Sequence, residues 1–209
     1  MKVENKEPTE AQIAEVENAF LKLYMGDIFK SLRIDAQDIT PETVIPEGAA
    51  CVAATLTACC LIELAGRFKG GNTSSQAFEA FAKYMQKKSG HNYKESDLYR
   101  ALRCGLIHSG TTNNDQKTLK YVLSATSKSL SKDTPLQREA TGSSGQFDKV
   151  NELQIQTFVA DLKIALESYF TELREDESKL RAPFLKAYKK FGFLTTFEMR
   201  LSTTFKMPP

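Results

Sequence analysis

Apolar residues recur every three or four positions along most of the chain, the period of helices with one buried face. Pro8 and the capping-box pattern Thr9-Glu10-Ala11-Gln12 open the first predicted helix. Ile13, Val16, Phe20, Leu23 and Tyr24 then form its apolar side. Asp38-Ile39-Thr40-Pro41 and Pro46 interrupt the pattern. A second helix, about Glu47 to Leu64, is apolar almost all round, as expected at the centre of a bundle, and Gly66 and Gly70-Gly71 end it. Ser75 is placed to cap a third helix that buries Phe78, Phe81, Tyr84 and Met85 and closes at Lys87-Lys88-Ser89-Gly90. The fourth starts near Glu95 to Asp97 and stops before Gly110, a residue suited to a helix C-terminus.

Residues 111–150 break the helical period. Leu119 to Ser124 reads as a strand with which Gln146 to Val150 can pair. The Ser-, Thr-, Gly- and Pro-rich stretch from Ser131 to Gly145 reads as a loop between them. Asn151 is expected to cap a long fifth helix carrying Ile155, Phe158, Val159, Leu162, Leu166, Tyr169, Phe170 and Leu173. Pro183 opens a short basic helix to Phe191, stopped by Gly192. Beyond it Phe197, Met199 and Leu201 alternate with Glu198 and Arg200, the pattern of an edge strand or a partner-binding arm. The expectation is a mainly α fold. It is a bundle of about five helices over residues 9–176, with a small β-hairpin excursion at 111–150 and a basic C-terminal extension at 177–209, all in one domain spanning 1–209.

Length and composition narrow the class. A chain of 209 residues, 41% hydrophobic, can bury a core without a disulfide or a metal, and it is neither disordered nor collagen-like. The longest apolar run, Ala49 to Ile62, is short of the roughly 20 residues that span a bilayer, and no secretory-signal pattern opens the chain. Cys51, Cys59, Cys60 and Cys104 lack C-x-x-C spacing, and His91 and His108 are the only histidines, so a zinc site is not expected. A reduced, cytoplasmic protein without a membrane partner, metal or cofactor is the plain reading. The formal charge of +2 conceals an uneven distribution. Residues 1–66 hold 5 basic against 11 acidic side chains, residues 67–150 hold 14 against 7, and residues 151–209 hold 9 against 8. The basic excess lies in the middle third, the footprint expected of a phosphate-backbone binder and also a common way of keeping a bundle soluble.

One segment of that third, Asp97 to Gly110, is organised for more than packing. At about 100° per residue, Arg100, Arg103, Cys104 and His108 share the face opposite Leu98, Leu102 and Leu106, and Ile107 lies among them. Histidine exchanges a proton near neutral pH, and arginine offers a permanent charge and a fork of donors matched to phosphate oxygens. A His–Arg pair with a second Arg is the minimum equipment for cleaving RNA without a metal. The plainer reading is a solvated helix face, or arginines paired with carboxylates. Glu63, the only carboxylate in its apolar helix, needs a partner if buried, and Arg103 or Arg100 is the natural choice; alternatively it reaches water at the helix end. Cys104 has no evident third group to orient it as a nucleophile. His91, in Ser89-Gly90-His91-Asn92, reads as a surface-loop residue. Lys186 to Lys190 with Tyr188 and Phe191 suits either base stacking or, as the preferred reading, packing on the bundle.

Arg103-x-x-x-x-His108, set in Leu-Arg-Cys-Gly-Leu-Ile-His-Ser-Gly near the end of a helix, resembles the R-x(4–6)-H signature of the HEPN superfamily. The order of helices over roughly residues 9–176 is similar to that family's bundle. The resemblance implies a metal-independent endoribonuclease, commonly a toxin or phage-defence effector. It also implies a homodimer in which two motif helices build one site around Arg103 and His108. In this reading Arg100 supports phosphate binding, and Glu63 and Cys104 are supporting residues. RNA is the implied partner, and an antitoxin or effector partner is not identified. The superfamily includes non-cutting members, so the alternative is a non-catalytic module that binds RNA, nucleotides or protein.

Overall fold

The computed structural model describes residues 7–35, 39–40, 43–47, 49–93, 95–104, 120–124, 136–141, 147–175 and 179–191. Helices account for 76% of them, so the fold is mainly α. The first helical arm begins as the capping box predicts: the Thr9 hydroxyl accepts from the Gln12 amide, and the Gln12 side chain answers the Thr9 amide at 2.9 Å. Helix α1 (Glu10–Asn18) passes through a π-helical turn (Ala19–Tyr24) into α2 (Met25–Leu32). The Met25 amide bonds back to the Phe20 carbonyl, five residues earlier, so the turn holds one extra residue and rotates the apolar face. Burial therefore runs Ile13, Val16, Phe20, then Met25, Ile28, Phe29 and Leu32, and Leu23 is left 50% exposed. The 3.6-residue period placed Leu23 on the buried side; the π turn is why it is not there.

Helix α3 (Cys51–Phe68) runs four residues past its expected end and packs against α2 and α4 (Ser74–Ser89). It is long and apolar enough to cross a bilayer by length and composition, but half of it is buried in the bundle, an arrangement compatible with a soluble chain. Gly66 does not end the helix. A Cβ built there would lie 1.8 Å from the Ala77 carbonyl oxygen, so Gly66 lets the backbones of α3 and α4 touch. The cap of α4 is Thr73, in a second capping box with Gln76, rather than Ser75. Gly90, at φ 78°, closes α4 in the left-handed conformation.

A short helix, α5 (Glu95–Leu98), leads into a second π-helical turn, Tyr99–Cys104. Three strands follow: β1 (Lys120–Ser124), β2 (Leu136–Thr141) and β3 (Phe147–Gln154), in the order β1-β3-β2. The excursion differs from the expected hairpin. β1 pairs with β3 in parallel, from Lys120 opposite Val150 to Ser124 opposite Gln154, and the antiparallel partner of β3 is β2. β2 occupies part of the stretch expected to be loop. A parallel pair needs a crossover connection rather than a tight turn, and β2 lies within the connection from β1 to β3.

β3 runs directly into α6 (Ile155–Arg174), so Asn151 is a strand residue opposite Tyr121 and not a helix cap. All eight residues expected on the apolar stripe of α6 are buried, together with Gln156, Thr157 and Asp161. The last described helix, α7 (Arg181–Phe191), packs on the bundle through Phe184, Leu185 and Ala187. Its Phe184 ring lies 5.3 Å from Phe68, which meets Phe20 edge-on at 5.5 Å, and the Tyr169 hydroxyl donates to the Phe68 carbonyl at 3.1 Å. Arg174 ties the end of α6 to α1 through Glu10 at 2.8 Å and Glu17 at 2.5 Å. The alternating segment Phe197 to Leu201 lies outside the described residues.

Candidate functional site

The described part of the motif segment turns Leu98 and Leu102 inward as expected, with Ala101 buried beside them, while Arg100 is exposed and Arg103 and Cys104 are half-buried. Its winding departs from a regular helix, because Tyr99–Cys104 is π-helical and so is wider than the 3.6-residue period assumes. β1 lies beside this turn, and α3 lies beneath it. Leu106, Ile107, His108 and Gly110 lie outside the described residues, so the motif's histidine has no placement here.

Glu63, on the outer side of α3, is shared by two arginines. Arg103 Nε donates to Glu63 Oε2 at 2.7 Å, and Arg67 Nη2 stands 3.9 Å from Oε1. The side chains are about one-fifth exposed or less, so water screens the pair only in part. Of the two expected partners for Glu63, Arg103 takes the place and Arg100 does not. Because α3 continues to Phe68, Glu63 is not a helix-end residue reaching water. Burial works against the Arg103 charge, but the hydrogen bond and charge of Glu63 outweigh it and raise the guanidinium above its usual range. The carboxylate therefore holds Arg103 both charged and oriented.

Arg67 is fixed in turn by Ser74 Oγ at 3.0 Å and by the Asn72 carbonyl. Around these groups lies an open cleft of about 330 Å³, lined by Cys60, Glu63, Leu64, Arg67, Arg103, Lys190 and Phe191. Lys190 Nζ sits 5.5 Å from the Phe191 ring. Three cations face one carboxylate, which makes the cleft a place for an anion. Partial burial pushes the Cys60 thiol up despite the opposing charge of Arg103. The Tyr99 hydroxyl is also raised, first by burial and then by Cys104, and its ring lies 5.9 Å from the Arg103 guanidinium carbon.

No protein-family model matches the chain, and no curated protein or solved structure matches it. The site is therefore read from its own geometry.

Among the residues selected from sequence, the structure joins Glu63 and Arg103. Cys104 adjoins Arg103 in the chain without lining the cleft, and Arg100 projects from the motif's exposed side. Five lining residues had not been selected as site residues: Cys60, Leu64, Arg67, Lys190 and Phe191. Glu63-x-x-x-Arg67 is an i,i+4 spacing that could have signalled Arg67. Lys190 and Phe191, already noted as a cation beside an aromatic, arrive from α7, and only tertiary packing places them at this cleft. His91 is not a plain surface-loop residue: its Nδ1 lies 2.8 Å from the Asp161 carboxylate, which is 1% exposed. Among the described residues, no three His, Cys, Asp or Glu side chains gather as metal ligands would.

Proposed function

We propose that the chain is a HEPN-like, metal-independent endoribonuclease, acting as a toxin or phage-defence effector, whose RNA phosphate enters the cleft at Arg103. The observation that supports this most is Arg103 itself, charged and oriented by Glu63 beside Arg67 and Lys190. In the reaction, His108 takes the proton of a ribose 2′-hydroxyl and the 2′-oxygen attacks the neighbouring phosphorus. The bond to the 5′-oxygen breaks, that oxygen leaves with a proton from water, and a 2′,3′-cyclic phosphate remains. Arg103 stabilises the charge that develops on phosphorus, and Arg100 supports phosphate binding.

The same reading makes the working unit a homodimer with two motif turns at one site. Purified protein incubated with RNA and a chelator tests the activity. Cleavage is expected, and Arg103→Ala should reduce it by about 10²–10³-fold while the variant stays folded by circular dichroism. RNA bound and released intact, with or without Arg103, overturns the enzyme and leaves the non-catalytic binding module. Sedimentation showing a monomer at tens of micromolar overturns the composite site.

A further inference from the structure

A second cluster lies between α4 and α6. Gly90 ends α4 in the left-handed conformation, and the chain beyond it sends two side chains to one buried carboxylate. Asp161 Oδ2 accepts from the Tyr93 hydroxyl at 2.5 Å and lies 2.8 Å from His91 Nδ1. Ser89 Oγ accepts the His91 backbone amide at 3.3 Å. A carboxylate only accepts, so the His91 proton sits on Nδ1 and points inward. The opposite edge of the ring, with Nε2, is thereby turned away from the core. His91 is fixed much as a catalytic or ligand-binding imidazole is fixed by a buried aspartate.

His91 also lines an open cleft of about 330 Å³, together with Lys83, Gln86, Lys87, Gly90 and Asn92. Lys83 and Lys87 are exposed and one turn apart on α4, a like-charge spacing that costs an isolated helix a few tenths of a kcal/mol. Their neighbour Lys88 is instead drawn into an ion pair with Glu172 on α6. Among the described residues, the charged and titratable groups around His91 are Asp161 and Tyr93 behind it, Lys83 and Lys87 beside the cleft, and Glu95, which accepts from Gln86 Nε2 at 3.1 Å. Two ammonium groups therefore face the cleft, and the buried carboxylate is on the far side of the imidazole.

We propose that Lys83, Lys87 and the Nε2 edge of His91 form a second anion site, separate from the cleft at Arg103, that takes a phosphate group. The lysines supply charge. The anion binds the imidazolium form of His91, which is held between Asp161 on one side and the anion on the other. Asp161 acts through His91 and touches no ligand.

Sulfate is the first probe, because its charge is constant across the pH range in which an imidazole titrates. Titrated into the full chain and followed by amide NMR, it should shift residues 83–92 and bind about tenfold more tightly near pH 6 than near pH 8. His91→Gln should remove that pH dependence. The Lys83→Ala/Lys87→Ala double variant should weaken binding about tenfold at both pH values without changing the melting temperature, because both side chains are exposed. Competition then identifies the source of the phosphate. Displacement of sulfate by a short single-stranded RNA at concentrations where a nucleoside monophosphate fails assigns a polynucleotide backbone, and the reverse assigns a free phosphate ester. Unmoved resonances at 83–92, undiminished binding in the double variant, or loss of binding in Arg103→Ala would each overturn the second site. The Arg103 variant also separates this site from the ribonuclease reading, since RNA cleavage can fail while sulfate still binds here.

Discussion

Replacing Gly66 with alanine should destabilise the protein, against the usual effect of that exchange in a helix. Alanine is favoured over glycine in a helix interior by about 1 kcal/mol. At Gly66, however, the new Cβ would stand 1.8 Å from the Ala77 carbonyl oxygen and 2.3 Å from its carbonyl carbon, where real Cβ contacts essentially never fall below 3.0 Å. The obstacle is backbone, so no side-chain rotation relieves it. The crossing of α3 and α4 must open by roughly 1.2 Å, loosening the layer that includes Phe68 and Phe81. Overpacking of this kind costs about 3 kcal/mol at the upper end of its normal range. The net is a loss of about 2 kcal/mol, or about 4–8 °C in melting temperature for a chain of this size. Gly26 is the internal control: it lies in α2 with nothing within 4 Å of its would-be Cβ, so Gly26→Ala should raise stability by about 0.5–1 kcal/mol. Thermal and urea melts of both variants measure the contrast. A Gly66→Ala protein at least as stable as wild type would refute the close crossing.

Three further predictions follow from single contacts. Arg33 closes α2 at φ 56° with its side chain exposed, so Arg33→Gly should stabilise by about 0.5–1 kcal/mol in a thermal melt, the left-handed penalty less the entropy of glycine; a loss would contradict it. A double-mutant cycle of Glu63→Gln and Arg103→Lys should give a coupling of about 1–2 kcal/mol by chemical denaturation, above the range of exposed pairs, and additivity would show the contact to be idle. Glu172 has its carboxyl held low: burial opposes the charge, and the Lys88 ammonium outweighs it. A lowered folded pKa contributes stability above the unfolded value. Wild type should therefore exceed Glu172→Gln in stability at neutral pH and lose that advantage as pH falls below about 4; an advantage constant with pH would count against the pair.

The parts of the fold that could be read in the sequence are those in which the signal is local. The Thr9 capping box and the stripe from Ile155 to Leu173 involve residues a few positions apart, and both appear in the structure. Leu23 was misplaced because a π turn leaves no mark in a hydrophobic pattern that assumes one period. Asn151 was misplaced because β3 extends to Gln154 and needs no polar cap before the helix. The parallel pairing of β1 with β3 depends on a crossover that strand patterns do not encode. At the site, Glu63 stands out as the lone carboxylate in an apolar helix, which is why its pairing with Arg103 is legible. Asp161 gave no such signal. It sits in α6 at a position where a solvated carboxylate would be unremarkable, and only the return of residues 89–93 against α6 reveals its role.

The central claim is that Arg103 and His108 cleave RNA without a metal. It is tested most directly by the rate at which a short RNA is cut in the presence of chelator by wild type and by a His108→Ala variant of equal melting temperature. The account predicts cleavage to a 2′,3′-cyclic phosphate, falling by about 10²–10⁴-fold in the variant. Equal rates in the two proteins, or no cleavage by wild type, would contradict it.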